Sequence, residues 1–316
     1  MSVVIHEPGA VAEPTPSRGG VVWKAIRRRP SATLGLVVLG LISAAALLAP
    51  LIAPYGLHEQ VGPVFGQPST SHPLGLDDGG IDMVTLLMWG ARISLLVGFA
   101  ATAVSMLIGG TVGILAGYFG GKVDVILMRI TDYFLVIPDV PLMIVVAAIW
   151  GPSLSHIIIV IGILLWTSTA RVLRAQVKSV RERTYVKRAR ALGAGHARIV
   201  LRHVLPQVAP LLIANTVLTI AVAIFDETAL SFLGLGDPSR VSLGKVIENA
   251  FERAAISAGA WWAIVPPGAL VAVIILSCSL IGGALEDALN PRLRVAHLGA
   301  RSFRLRPLVG RSPEAL

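Results

Sequence analysis

The sequence predicts an all-α membrane protein that crosses the bilayer six times. Hydrophobic residues make up 54% of its 316 residues, charged residues make up only 14%, and the mean hydropathy is +0.76, outside the balance of a soluble domain. The chain contains six apolar runs, and about 20 residues of helix cross a hydrocarbon core of about 30 Å. Lysine and arginine are concentrated in alternate connections between these runs, as is typical of multi-pass proteins.

The apolar runs give the expected boundaries of the spans. They cover about residues 33–53, 93–118, 125–150, 156–170, 208–235 and 263–289. Pro138 and Pro141 interrupt the third run and predict a kink, because proline lacks the helical donor and clashes with the preceding turn. The fourth run continues directly into a basic helix.

The positions of the basic residues predict which side of the membrane each connection faces. Residues 54–91 hold no Lys or Arg and should face outward, because short basic connections are retained in the cytoplasm. Residues 171–202 hold ten basic residues against one acid, Glu182, and should face the cytoplasm. With six spans, both termini are then cytoplasmic. The net charge of +9 is explained by topology, without a nucleic-acid partner.

This topology divides the chain into three parts. Residues 1–30 form a cytoplasmic head, residues 31–290 a six-span domain, and residues 291–316 a basic cytoplasmic tail. The basic residues that precede the first apolar run also resemble the start of a signal peptide. The run is about 20 residues long and lacks a clear small-residue cleavage site, which favours an uncleaved anchor.

The sequence lacks the motifs of an ATPase, a metal site or an intramembrane enzyme. Lys122 and Lys245 each follow a glycine, but valine comes next, so the G-x-x-x-x-G-K-[ST] loop is missing. His156 has no nearby ligand residues, which argues against a metal role. The single cysteine, Cys278, cannot form an intrachain disulfide. We expect no catalytic residue, no metal and no cofactor in this chain.

A basic segment between the fourth and fifth spans, residues 184–206, has a distinctive helical pattern. Helix formers are followed by "GAG", which breaks the helix, and "HARIVLRHVL" resumes it until Pro206, which is expected to stop it. In the second helix an apolar face containing Ile199 opposes a face with Arg198 and Arg202. This arrangement is typical of an interfacial or docking helix.

The stretch "RARALGAGHARIVLRHVLP" resembles the cytoplasmic loop signature of the inner-membrane subunits of ABC-type importers. In that signature a Glu-Ala-Ala triplet is followed after three residues by Gly and later by Leu-Pro. Lys187 and Arg188 stand where the triplet usually has Glu and Ala. The resemblance implies that the segment contacts an ATPase through Lys187, Arg188, Ala189, Arg190, Ala191, Leu192, Gly193, Ala194, Leu205 and Pro206.

Four further stretches narrow the resemblance. "HPLGLDDGGID", "GARISLLVG", "AGYFGGKVD" and "LSFLGLG" are similar to the C-type permease subunit of dipeptide, oligopeptide and nickel importers, over roughly residues 25–295. Leu76 and Ile81 stand where the family pattern usually has Thr and Arg. The resemblance implies a type I ABC importer permease fold in the bacterial inner (plasma) membrane, with a cytoplasmic coupling helix between spans four and five.

The resemblance also implies partners. They are a second homologous permease subunit, two cytoplasmic ATPase subunits or domains that bind ATP and Mg, an extracytoplasmic peptide-binding protein, and membrane lipid. The implied function is half of the membrane pathway for di- and oligopeptide uptake. A chain without an ATP site must receive its conformational energy from a partner. The surface helix around Gly193 is the expected contact site for that partner.

Three polar residues in span five are candidates for the translocation path: Asp226, Glu227 and Ser231. Ionisable groups within a span are costly and usually face a cavity or a partner, and carboxylates attract the amino group of a peptide. The alternative is that they lie near the outer surface, solvated and bonded locally. In span three, Arg129 and Asp132 are one turn apart and are expected to form a local ion pair.

Two features of the outer connections are also open to interpretation. Residues 80–89 are expected either to form a short outer-surface helix that receives the binding protein or simply to cap the pore. Trp261 and Trp262 are expected to belong to an interfacial aromatic belt.

Two other functions remain as alternatives. One is a permease for nickel or another small solute, and the other is a proton-coupled secondary transporter in which Asp226 and Glu227 relay protons. A secondary transporter leaves the helix–glycine–helix segment unexplained. Dependence of uptake on ATP rather than on the proton gradient separates the two mechanisms.

Overall fold

The computed structural model describes Arg27 and residues 29–289, so nearly all of the predicted head and tail lies outside the described residues. The first helices are α1 (Pro30–Ile52), α2 (Met83–Phe119), α3 (Gly121–Val136), α4 (Asp139–Trp150) and α5 (Leu154–Arg181). They are followed by α6 (Thr184–Ala191), α7 (His196–Ile199), α8 (Leu205–Leu230), α9 (Leu243–Glu252) and α10 (Val265–Leu289). Short π-helical segments, Val200–Val204 and Ser231–Leu235, extend α8 at its two ends.

Six spans are present when one broken helix pair is counted as a single span. Five helical stretches are long and apolar enough to cross a membrane, and α3 and α4 together form a sixth, bent by 84°. The break follows from Pro138, because the residue before a proline is driven out of the helical region, and Ile137 is extended. The predicted all-α, six-span architecture is confirmed. Span three, however, is broken into two helices rather than only kinked.

The second span begins ten residues earlier than its apolar run predicts. Asp82 caps α2 by accepting a hydrogen bond from the Thr85 N–H at 2.9 Å, so the helix begins at Met83. Most of residues 80–89 therefore belongs to the span, and the predicted separate surface helix is wrong. At 37 residues, α2 is about 55 Å long, since a helix rises about 1.5 Å per residue.

Helices α2 and α5 pack against each other through a row of glycines on α2: Gly109, Gly113 and Gly117. A methyl group added at Gly113 would lie 2.7 Å from the carbonyl oxygen of Ala170 on α5. The other two glycines face α5 carbonyl oxygens equally closely. Such spacing at every fourth residue lets two helix backbones come together closely.

One end of the helical domain, which we call the loop end, contains residues 53–82 and 236–264. Its apolar cluster joins the start of α2 to α9 and to Trp262. The Trp262 indole N–H donates to the Leu76 carbonyl at 3.2 Å, and its side chain is buried. The expected aromatic belt is therefore wrong for Trp262, which fastens the loop to the domain, whereas Trp261 is exposed.

The opposite end, which we call the basic end, contains residues 118–124 and 174–206. An apolar cluster there joins the end of α2, the end of α5 and the segment 184–206. The Asp124 carboxylate is paired with Arg174 and Lys178, which holds the first turn of α3 against α5. At the same end Arg29 forms a 2.6 Å ion pair with Asp287, which joins α1 to α10.

Candidate functional site

The segment 184–206, which we call the coupling segment, turns at Gly193. Its φ angle is +78°, a left-handed conformation that glycine adopts without steric cost. The Ala194 N–H donates to the Ala189 carbonyl at 3.1 Å, and the Gly193 N–H donates to the Arg190 carbonyl at 3.0 Å. These two bonds close the end of α6 in a Schellman motif. The sequence prediction of a helix, a glycine turn and a second helix is confirmed.

The helix after the turn does not end at Pro206 as the sequence predicts. It continues from His196 through α8 as one long stretch that ends at Leu235, with a kink only at Gly234 near that end. The Leu205 N–H bonds to the carbonyl of Val200, five residues back, so a π-helical turn resets the hydrogen-bond register just before the proline. Pro206, the second residue of α8, directly follows this π-helical turn, which accommodates the proline within the continuous helix.

The coupling segment has two distinct faces. Val186, Ile199 and Val204 are fully buried against the helical domain. The predicted contact residues Lys187, Arg188, Arg190, Ala191, Leu192 and Gly193 are solvent-exposed, although the Arg190 guanidinium also lies over the Tyr118 ring of α2. Ala189, Ala194, Leu205 and Pro206 are half-buried and lie between the two faces. In the second helix Ile199 and Val204 are buried while Arg198 and Arg202 are exposed, so the amphipathic arrangement predicted for that helix is confirmed.

One exposed acid offsets part of the charge at the start of the coupling segment. Lys187 Nζ lies 2.9 Å from a carboxylate oxygen of Glu182, with both side chains exposed. The hydrogen bond from Lys187 and the charge of Lys187 hold the pKa of Glu182 below its ordinary value. Lys187 is thus already paired within the chain, whereas no ion pair of Arg188 is found within the described part of the chain.

The three candidate path residues lie near the junction of α8 with the loop end. Asp226 and Glu227 are only 5% and 1% exposed, so neither is solvated. Glu227 accepts hydrogen bonds from Ser94 on α2 at 2.7 Å and from Ser231 at 2.8 Å. Ser94 Oγ in turn accepts from the Leu243 N–H at 3.3 Å. This buried polar network joins α2, α8 and α9.

Asp226 differs from its neighbour because one of its carboxylate oxygens, Oδ2, has no hydrogen-bond partner among the described residues. A buried carboxylate without a partner is costly and calls for an explanation.

The expected ion pair between Arg129 and Asp132 is wrong. Asp132 instead pairs with Arg171 of α5 at 2.6 Å, with both side chains about half exposed. The pair joins two helices rather than neighbouring turns of one. Hydrophobic periodicity within α3 gives no signal for it, because the two residues are 39 positions apart.

Residues 109–295 match the family of binding-protein-dependent transport system inner membrane components. This stretch contains both the coupling segment and the acid pair of α8. The chain belongs to this family of inner-membrane permeases. Residues 17–68 match a second family model, the N-terminal transmembrane domain of oligopeptide transport permease C.

Curated relatives of this permease match over most of their length. It is 33% identical to the dipeptide transport system permease protein DppC of Bacillus subtilis, and the match covers 92% of this chain and 90% of that protein. It is 36% identical to a putative peptide transport system permease of Brucella suis, with coverages of 92% and 98%. The oligopeptide transport system permease OppC of Mycobacterium bovis is 33% identical, with coverages of 90% and 98%.

A solved structure is also similar to this permease. A chain of the MetNI methionine ABC transporter, in an inward-facing conformation, covers 65% of this permease with a TM-score of 0.49 and 18% identity. Ninety-five per cent of that chain is matched.

The structure of the permease brings together residues that the sequence did not single out. Ser94 binds Glu227, Tyr118 contacts the coupling segment, and Asp124 is paired with α5. Each lies in a stretch that carries the family resemblance: "GARISLLVG" contains Ser94, and "AGYFGGKVD" contains Tyr118 and Asp124. The stretches were a usable signal, but the partner of each residue is distant in the chain and has no signature in the sequence.

Proposed function

We propose that this permease forms half of the membrane pathway of an ATP-driven importer of di- and oligopeptides. The observation that carries the proposal is the exposed basic helix–glycine–helix segment, which is packed rigidly on the helical domain of a binding-protein-dependent permease. The names of the relatives, which include dipeptide and oligopeptide permeases, support a peptide substrate.

The coupling segment is the contact with the ATPase in this proposal. Leu192 is 88% exposed at the tip of the turn, next to Gly193 and directly after the cationic helix α6. An exposed apolar side chain that follows the exposed Arg188 and Arg190 suits a groove with an apolar floor and an acidic wall. The two ATPase partners bind ATP and Mg, and this chain carries no cofactor of its own.

The path for the peptide passes Asp226, Glu227 and Ser231. The unpaired oxygen of Asp226 supports a role in attracting the ammonium group of a peptide, since a buried carboxylate gains most from a cation. Glu227 and Ser231 support Asp226 by fixing this part of α8 against α2 and α9.

The basic end faces the cytoplasm of a bacterium and the loop end faces outward. The absence of Lys and Arg from residues 54–91 and their abundance in residues 171–202 support this orientation. Both termini are then cytoplasmic, and the loop end receives the extracytoplasmic peptide-binding protein. A second homologous permease completes the pathway.

The test is purification of the tagged chain from its own membranes under mild conditions. The expected result is co-purification of a second six-span subunit and of ATPase subunits, with ATP hydrolysis stimulated by a peptide-loaded binding protein. In proteoliposomes the same complex should take up a labelled dipeptide only when ATP is supplied. Uptake driven by a proton gradient without ATP would contradict the proposal.

A further inference from the structure

Tyr118, the penultimate residue of α2, is the point at which α2 meets the coupling segment. Its hydroxyl lies 2.9 Å from His196 Nδ1, a hydrogen bond whose donor depends on the imidazole tautomer. The tyrosine side chain is only 2% exposed. Its ring also stacks edge-on with the imidazole, at a centroid distance of 5.7 Å.

Two arginines fix the position of this tyrosine from other elements. Arg181, at the end of α5, donates a hydrogen bond to the Tyr118 carbonyl at 3.0 Å, satisfying an acceptor in the last turn of α2. The Arg190 guanidinium of α6 lies 5.6 Å from the centre of the Tyr118 ring, within cation–π distance. Tyr118 therefore contacts α5, α6 and the first residue of α7 at once.

The contact matters because of how the coupling segment is connected. The chain attaches it covalently only to α5, which precedes it, and to α8, which follows it. Tyr118 and His196 are 78 positions apart, so their bond ties the segment directly to a spanning helix that the chain does not connect to it. The surrounding apolar cluster also touches α2, but apolar contacts are non-directional, whereas a hydrogen bond fixes distance and orientation.

We propose that the hydrogen bond between Tyr118 and His196 transmits displacement of the coupling segment to α2, so that both are positioning residues for transport. This inference rests on the proposed function, because it assigns a route to the energy that an ATPase partner supplies. Packed side chains, hydrogen bonds and rigid helices that have two discrete arrangements carry coupling between distant sites. The bond provides one such contact, from a surface turn to a helix that crosses the membrane.

Tyr118→Phe is the sharpest test, because it removes the hydroxyl and keeps the buried ring, its packing and its contact with Arg190. The complete transporter is purified and reconstituted, and dipeptide uptake is measured per ATP hydrolysed. Loss of this one hydrogen bond in Tyr118→Phe should lower the uptake per ATP roughly three- to tenfold. Tyr133→Phe on α3 is the matched control, because Tyr133 is 69% exposed, and it should leave the ratio unchanged. The yield of assembled complex should be normal for both.

The partner residue provides an independent check through a double-mutant cycle. His196→Leu should reduce the ratio as much as Tyr118→Phe does, and the double variant should be no worse than either single one. His196→Asn keeps a polar atom near the position of Nδ1 and should restore part of the ratio. Additive losses in the double variant would overturn the inference, as would a Tyr118→Phe transporter with wild-type uptake per ATP.

The failure of this inference is separable from failure of the proposed function. If the wild-type transporter shows no ATP-dependent dipeptide uptake, the proposed function is wrong. If the wild-type transporter takes up dipeptide and Tyr118→Phe matches it, only the route through Tyr118 is wrong.

Discussion

Two physical demands lead to the same glycine at position 193, and they predict different outcomes when it is replaced. The left-handed φ of +78° requires a residue that tolerates this conformation. Close approach of a partner backbone requires a residue without a side chain. Within the described chain, a methyl group at Gly193 would meet nothing within 4 Å, so only the backbone demand comes from the chain itself.

Gly193→Asn and Gly193→Ala separate these demands. The left-handed conformation costs alanine about 1 kcal/mol, and asparagine adopts it more readily. Asparagine, however, has the larger side chain. If backbone shape dominates, the Asn variant should keep more ATP-dependent uptake than the Ala variant. The opposite order, with normal assembly of both variants, would assign the glycine to close contact with the ATPase.

Glu227 is the residue on which the buried polar network depends. Glu227→Gln retains a partner for both serine hydroxyls, because an amide both donates and accepts, and should change stability little. Glu227→Ala removes the acceptor to which the Ser94 and Ser231 hydroxyls donate and should lower the free energy of unfolding by about 1–3 kcal/mol. Thermal unfolding in detergent measures the difference. Glu252→Ala, at an exposed position at the end of α9, is the control.

At the scale of elements, the glycine row of α2 sets its distance from α5. Gly113→Ala should destabilise the protein by about 1–3 kcal/mol, because its methyl group would be 2.7 Å from a backbone carbonyl oxygen that cannot move aside. Gly110→Ala is a matched control on the same helix, since its methyl group would meet only the Leu173 side chain, at 3.9 Å. Equal unfolding temperatures for the two variants would show that the helices separate at little cost.

The charge of α6 is the second property of an element that can be tested. Reversing both Lys187 and Arg188 to Glu should reduce ATP-dependent uptake by at least tenfold if they face an acidic groove, because like charges across an interface are strongly unfavourable. The complex of this double variant should also dissociate more readily as ionic strength falls, because salt then screens the repulsion less. Lys122→Glu, an exposed lysine of the basic end outside the coupling segment, is the control. Unchanged uptake in the double reversal would remove the acidic groove from the proposal.

At the scale of the whole molecule, the sequence predicts the number of spans and the shape of the coupling segment but not the contacts between them. Apolar length and proline placement are local properties, so the six spans and the break at Pro138 were predictable. The start of α2 was missed because Gly90 and Arg92 interrupt the hydropathy there, while the capping Asp82 overrides the interruption.

Contacts between elements required the structure. The pairing of Asp132 with Arg171 and of Tyr118 with His196 depends on how helices pack, and one sequence carries no record of that packing. The prediction that Pro206 ends the helix is wrong for a related reason. A proline ends a helix only when its clash with the preceding turn is not relieved, and the π-helical turn at Val200–Val204 relieves it.

The orientation of the whole chain can be measured with single cysteines, because the lone native Cys278 is fully buried and gives little background labelling. In intact cells, Ser71→Cys at the loop end should react with a membrane-impermeant maleimide. Lys122→Cys at the basic end should react only after the membrane is opened. Both side chains are exposed, so accessibility does not bias the comparison. Labelling in the reverse pattern would invert the proposed topology.

The length of α2 gives it the properties of a lever. Its first turn is capped by Asp82 within the loop end, and its last turn holds Tyr118 within the basic end. For a rod of about 55 Å, a tilt of about 5° produces a stroke of about 5 Å at the far end. Because the glycine row Gly109, Gly113 and Gly117 packs on α5 near the basic end of this rod, a small rotation about that contact would be amplified into a displacement the size of a side chain at the loop end.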